Sequence, residues 1–167
     1  MRIIFIYIFV SGISFAQGFL HNINGEVVDG NGQPILLRGF GLGGWLVPEG
    51  YMLHNQAWIQ GFESPTDIEN HVLELIGPDE ANNFWELYRT NYVAQADIDK
   101  IAEWGFNHIR VPFHYKQFYD STGTETPIGY TIIDELITWC QPHNMYIILD
   151  MHCAPGAQNG GPISDSD

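Results

Sequence analysis

Basic residues are scarce in this sequence. Lys and Arg together number 6 against 20 Asp and Glu, a formal net charge of −14. That balance repels phosphate backbones and anionic lipid surfaces, which argues against nucleic acid or a membrane face as the partner. Cysteine is almost absent: there are only 2, Cys140 and Cys153. No CxxC pair or Cys/His spacing points to zinc. The two read as free, buried small side chains, with a bridge between them left open. No apolar run reaches the about 20 residues that span a bilayer. A G-x-G-x-x-G fingerprint is missing too. Gly41, Gly43 and Gly44 are not followed at once by a helix, so a dinucleotide site is rejected. No internal repeat, low-complexity tract or interdomain linker is visible.

What remains is a globular composition, 45% hydrophobic and 14% aromatic over 167 residues, enough for one ordinary domain with a real core. The N-terminus reads as a secretory signal over residues 1–16. Arg2 is a minimal positive region, residues 3–10 are apolar, and Ser14 and Ala16 place small residues before a cleavage site at Gln17. Export to an extracellular or periplasmic space follows, and residues 17–167 form the mature part.

Taken in order, residues 21–40 predict a β-hairpin leading into a strand. Glu26-Val27-Val28 enters the turn-forming Asp29-Gly30-Asn31-Gly32, and Pro34 starts a return run. A strand then opens into the glycine-rich Arg38-Gly39-Phe40-Gly41-Leu42-Gly43-Gly44-Trp45. Residues 46–63 read as a long loop, with the aromatics Trp45, Tyr51, Trp58 and Phe62, whose rings either stack on sugars in a cleft or pack as core. Ser64-Pro65-Thr66-Asp67 is a helix start, with Ile68, Val72, Leu75 and Ile76 as its apolar stripe and Gly77 as its stop. A second helix opens at Pro78 and runs to about Tyr88. A third covers residues 95–104, with Ile98, Ile101 and Ala102 on one face. Asn107 to Pro112 form a buried strand that Pro112 ends. A helix over residues 130–142 turns Ile133, Leu136, Ile137 and Cys140 inward. Tyr146-Ile147-Ile148-Leu149 is the last buried strand. Strands alternating with helices imply parallel βαβ units and an α/β fold.

Polar side chains gather where those strands end: Glu49 after the first, Arg110 on the second, Asp150 and His152 on the third. A guanidinium in an apolar strand needs paired acceptors or a polar cleft. Asp150 and His152 are either a pair that holds a loop or part of a site. Strand C-terminal ends are where α/β enzymes build sites.

Three segments resemble glycoside hydrolase family 5, the cellulase-type clan, in its exo-β-1,3-glucanase-like branch. They are Arg38-Gly39-Phe40-Gly41-Leu42-Gly43-Gly44-Trp45-Leu46-Val47 with Glu49; Gly105-Phe106-Asn107-His108-Ile109-Arg110-Val111-Pro112; and Leu149-Asp150-Met151-His152-Cys153-Ala154-Pro155-Gly156-Ala157-Gln158-Asn159-Gly160. The resemblance covers residues 25–167. It implies the N-terminal part of a (β/α)8 barrel: its first three strands behind an N-terminal hairpin. It also implies a retaining mechanism with two glutamates, an acid/base after the fourth strand and a nucleophile at the seventh, about 5–5.5 Å apart. Neither position lies in this sequence, so no catalytic residue is assigned here. The resemblance makes Glu49, Arg110 and His152 substrate-binding, with Trp45, Asp150 and Asn159 in support. It implies a β-glucan oligo- or polysaccharide as partner and no metal or organic cofactor. The chain alone is expected to be inactive. The alternative is a non-catalytic carbohydrate-binding protein built on a partial barrel.

Overall fold

The computed structural model describes residues 18–53, 63–120 and 122–165. The expected signal segment, and Trp58 and Phe62 of the aromatic loop, lie outside those residues. The chain divides into two compact units, Met1–Leu36 and Leu37–Asp167.

In the first unit, β1 (His21–Ile23) pairs antiparallel with β2 (Glu26–Val28). The turn between them is Asn24-Gly25, with φ of 52° and 92°. Asn-Gly is the pair that most readily takes positive φ at both turn positions, so it makes the hairpin that Asp29–Gly32 was expected to make. The Asp29 segment does turn, because its carboxylate accepts the amides of Asn31 and Gln33. Its return run forms only a single bridge, Val28 to Pro34.

In the second unit, β3 (Gly39–Gly41), β4 (His108–His114) and β5 (Tyr146–Cys153) make a parallel sheet in that spatial order. The connections carry α1 (Gly50–Leu53), α2 (Pro65–Ile76), α3 (Pro78–Tyr92), α4 (Gln95–Glu103) and α5 (Ile128–Cys140). The short α1 lies inside the stretch read as a loop. Ser64 and Asp67 form the expected reciprocal cap of α2. Helix α3 runs on to Tyr92, past the expected Tyr88.

Ile109, Val111 and Phe113 of β4 point to one face of the sheet, where they pack with Ile98, Ile101, Ile133, Leu136 and Cys140. Ile137 does not join them and is 46% exposed. Positions 133, 136 and 140 trace one helical stripe, and Ile137 falls on its flank. Ile68 alone of the expected α2 stripe is fully buried; Leu75 is 80% exposed. Helix α2 rests chiefly on α3, so the sheet covers little of it.

Strand β4 does not stop at Pro112; it pairs with β5 as far as His114. The reason lies on its other side. Leu42 N donates to Arg110 O and His114 N donates to Leu46 O. Between them residues 43–45 leave the sheet, and the missing N–H of Pro112 faces that gap. Strand β5 likewise continues through Asp150 to Cys153, with a bulge: Phe113 pairs with Met151 and His114 with Cys153, which leaves His152 as the extra residue.

Candidate functional site

Opposite the packed face, the even-numbered residues of β4 and β5 project together. Arg110 is registered with Ile148, and Pro112 with Asp150. One carboxylate oxygen of Asp150, Oδ2, accepts from both the Arg110 guanidinium and His152 Nδ1, the latter at 3.0 Å. The Arg110 side chain is 45% exposed and that of Asp150 29%. Arg110 is therefore both ion-paired and partly exposed to solvent. His152 is pair-bonded at Nδ1, so its Nε2 is the ring atom left to address a ligand.

Glu49 stands at the start of α1, where its carbonyl accepts the amides of Met52 and Leu53. Its residue is 3% exposed. Burial pushes its carboxyl above the usual range, against the pull of His152, the Tyr51 hydroxyl and Arg110. Tyr51 is pushed up in turn by burial and by the Glu49 charge it bonds. Glu49, ahead of α1, Arg110 inside β4, and Asp150 and His152 in the second half of β5 thus share one electrostatic neighbourhood. Tyr51 joins them through its hydroxyl, a role its ring did not announce in the sequence.

Trp45 lies elsewhere. It is buried in the core, and its indole N–H donates to Arg89 O at 2.8 Å. Tyr88 and Tyr92 of α3 hold the neighbouring carbonyls of Gly44 and Gly43 through their hydroxyls. Helix α3 therefore fixes the chain that leads from β3 to Glu49. Asn159 sits in the loop after β5, where its side chain accepts from Gly161 N. It lines a cavity of about 450 Å³ together with His114, Tyr115, Lys116, Gln158 and Asp165. It also lines a smaller one of about 280 Å³ that includes His152. Cys140 and Cys153 are free and buried, and burial raises both thiols. Among the described residues no three His, Cys, Asp or Glu side chains converge as a metal site requires.

Sequence reasoning missed one group. Asp165 draws together Thr66, His114 and Lys116. The partners are far apart in the chain and belong to no shared motif, so no local signal marks them.

The profile of the cellulase family, glycosyl hydrolase family 5, matches residues 63–167. The chain belongs to glycosyl hydrolase family 5. Among the relatives of this family 5 chain, a protein named "Beta-xylosidase" from Phanerodontia chrysosporium is 31% identical over 84% of this chain and 29% of its own length. "Probable glucan 1,3-beta-glucosidase A" from Aspergillus niger is 30% identical over 75% of this chain and 30% of its own length. "Glucan 1,3-beta-glucosidase 1" from Schizosaccharomyces pombe is 30% identical over 82% and 34%. The chain thus spans about a third of the length of the curated relatives it matches. Among solved structures, rutinosidase from Aspergillus niger superposes with a TM-score of 0.61 at 24% identity, over 77% of this chain and 36% of that one. The structure titled AoRut gives 0.63 at 24% identity, over 78% and 36%. At that identity the likeness carries the fold alone.

Proposed function

We propose that this family 5 chain supplies the sugar-binding floor of a secreted glycosidase that hydrolyses β-glucans with retention of configuration. The parallel sheet is the first three strands of a (β/α)8 barrel, and the acid/base and nucleophile glutamates stand on later strands. The observation that carries the reading is the Arg110–Asp150–His152 chain beside buried Glu49, on one side of neighbouring parallel strands and reaching the C-terminal end of β5 at His152. Barrel enzymes assemble their sites at those ends. The glucan 1,3-beta-glucosidase names among the relatives point to the same substrate class.

In this role His152 and Glu49 hydrogen-bond hydroxyls of the sugar in the subsite where cleavage occurs. The Arg110 guanidinium lies toward the nucleophile and favours its ionised form. Asp150 holds both Arg110 and His152 in position. A retaining enzyme attacks the anomeric carbon with one carboxylate while the other protonates the leaving oxygen; water then releases the glycosyl-enzyme. Two carboxylates suffice for that chemistry, and none of the described residues is assigned to it.

The test is stereochemical. A polypeptide extended through the remaining strands is incubated with laminarin and followed by proton NMR. Release of the β-anomer before mutarotation is expected. The α-anomer first, or no release, contradicts the reading.

A further inference from the structure

The cluster around Asp165 has no part in the function proposed above, yet it is among the most buried polar groups of the second unit. The Asp165 side chain is 3% exposed. Its Oδ1 accepts from Thr66 N at 2.9 Å. Its Oδ2 accepts from Thr66 Oγ1 at 2.7 Å, His114 Nε2 at 2.8 Å and Lys116 Nζ at 3.1 Å. The donors are fixed by their other bonds. Thr66 Oγ1 accepts from Lys116 Nζ, so its own proton goes to Asp165. His114 Nδ1 accepts from Lys116 N, so the ring proton is on Nε2. Every partner gives and none takes, and only an ionised carboxylate answers all four. Burial works against that charge, and the bonds from Thr66, His114 and Lys116 outweigh it.

Asp165 also belongs to the segment that leaves β5. Near its start the loop is fastened to the strand: Gln158 Nε2 donates to Met151 O at 2.7 Å and to His152 O at 2.9 Å. Further on, Cys153 Sγ donates to Ile163 O. His152 is the extra residue of the bulge and has no partner on β4. Its carbonyl is held by the loop. At the far end Asp165 ties the same loop to the first turn of α2 and to the end of β4.

We propose that Asp165 is a positioning residue for the sugar site. By locking residues 154–164 against Thr66 and His114, it fixes the backbone of the bulge and so the direction of the His152 ring and the place of Asn159. The sugar-binding part of this inference rests on the function proposed above; the locking part does not.

The test uses the full 167-residue chain and two variants. Asp165→Asn keeps the size but turns an amide N–H₂ toward donors. Thr66→Val is milder, since it removes one hydroxyl and leaves the amide. Hydrogen–deuterium exchange over residues 154–164 is expected to quicken about tenfold or more in Asp165→Asn and less in Thr66→Val, with residues 109–113 unchanged. The His152 ring signals in 15N NMR are expected to shift or broaden, and laminaribiose affinity to fall about tenfold. Should Asp165→Asn fail to fold, Thr66→Val decides by the same readouts. Unchanged exchange in the loop overturns the lock. Faster exchange with unaltered His152 signals overturns the positioning role. A wild-type chain that ignores laminaribiose defeats the sugar reading, while exchange and the His152 signals still judge the lock.

Discussion

Asp150 Oδ2 lies 3.0 Å from His152 Nδ1 and takes the Arg110 guanidinium on the same atom. A carboxylate only accepts, so the imidazole proton sits on Nδ1 and Nε2 is the acceptor of the neutral ring. Asp150→Asn can offer its amide nitrogen to Nδ1 instead and loses the charge that holds Arg110. We expect the variant to show a mixture of His152 tautomers by 15N NMR and to bind laminaribiose about tenfold more weakly. A single unaltered tautomer with full affinity contradicts the assigned role.

Arg110→Ala removes a positive charge from the neighbourhood of the proposed nucleophile. In a catalytically complete polypeptide, kcat is expected to fall about 100-fold or more, with a much smaller change in KM. A rise in KM alone would make Arg110 a simple binding group.

Glu49 gives a pH signature. Its carboxyl is raised by burial, so the folded state disfavours its ionised form. Stability held at low pH is lost as pH rises through the raised pKa. Glu49→Gln removes that loss and keeps an acceptor for the Tyr51 hydroxyl. Melting curves from pH 4 to 7 are expected to show the variant gaining on the wild type as pH rises. The same variant is expected to bind laminaribiose more weakly. A constant gap across the range contradicts the burial argument.

Asp165 behaves in the opposite sense. Its carboxyl is held well below the usual range by its hydrogen bonds, despite burial. The stability it adds is full above the ordinary carboxylate range and drains away as pH falls through the depressed pKa. Asp165→Ala leaves buried donors unmatched and is expected to cost about 3 kcal/mol at pH 7, read by urea unfolding, with a smaller deficit in acid. A cost below about 1 kcal/mol would show that the cluster is loosely held.

Gly44 has φ of 79°, and a Cβ there would lie 2.7 Å from the Tyr92 hydroxyl. Gly44→Ala is therefore expected to destabilise by more than about 1 kcal/mol, also by urea unfolding. An unchanged midpoint would mean that the segment ahead of Glu49 is not pinned by α3.

The elements whose signals are local were legible. Ser64-Pro65-Thr66-Asp67 spells its own cap, and Gly77 and Gly105 stop their helices at positive φ. Arg110, Asp150 and His152 stood out because a buried strand rarely carries such groups. Features set by distant partners were hidden. Strand β4 passes through Pro112 only because residues 43–45 vacate the space beside it. The partner that fixes the Trp45 indole, Arg89 O, lies 44 residues further along the chain. Asp165 meets Thr66 and His114 across 99 and 51 residues of chain, a separation no motif spans.

The central claim is that Glu49, Arg110 and His152 together receive a glucosyl unit. It is tested most directly by titrating the 15N-labelled chain with laminaribiose and following backbone and side-chain signals. Shifts centred on Arg110, Asp150, His152 and the amides of Gly50 and Tyr51, lost in His152→Ala, are the predicted result. No shift at millimolar sugar, or shifts confined to another face of the sheet, would contradict it.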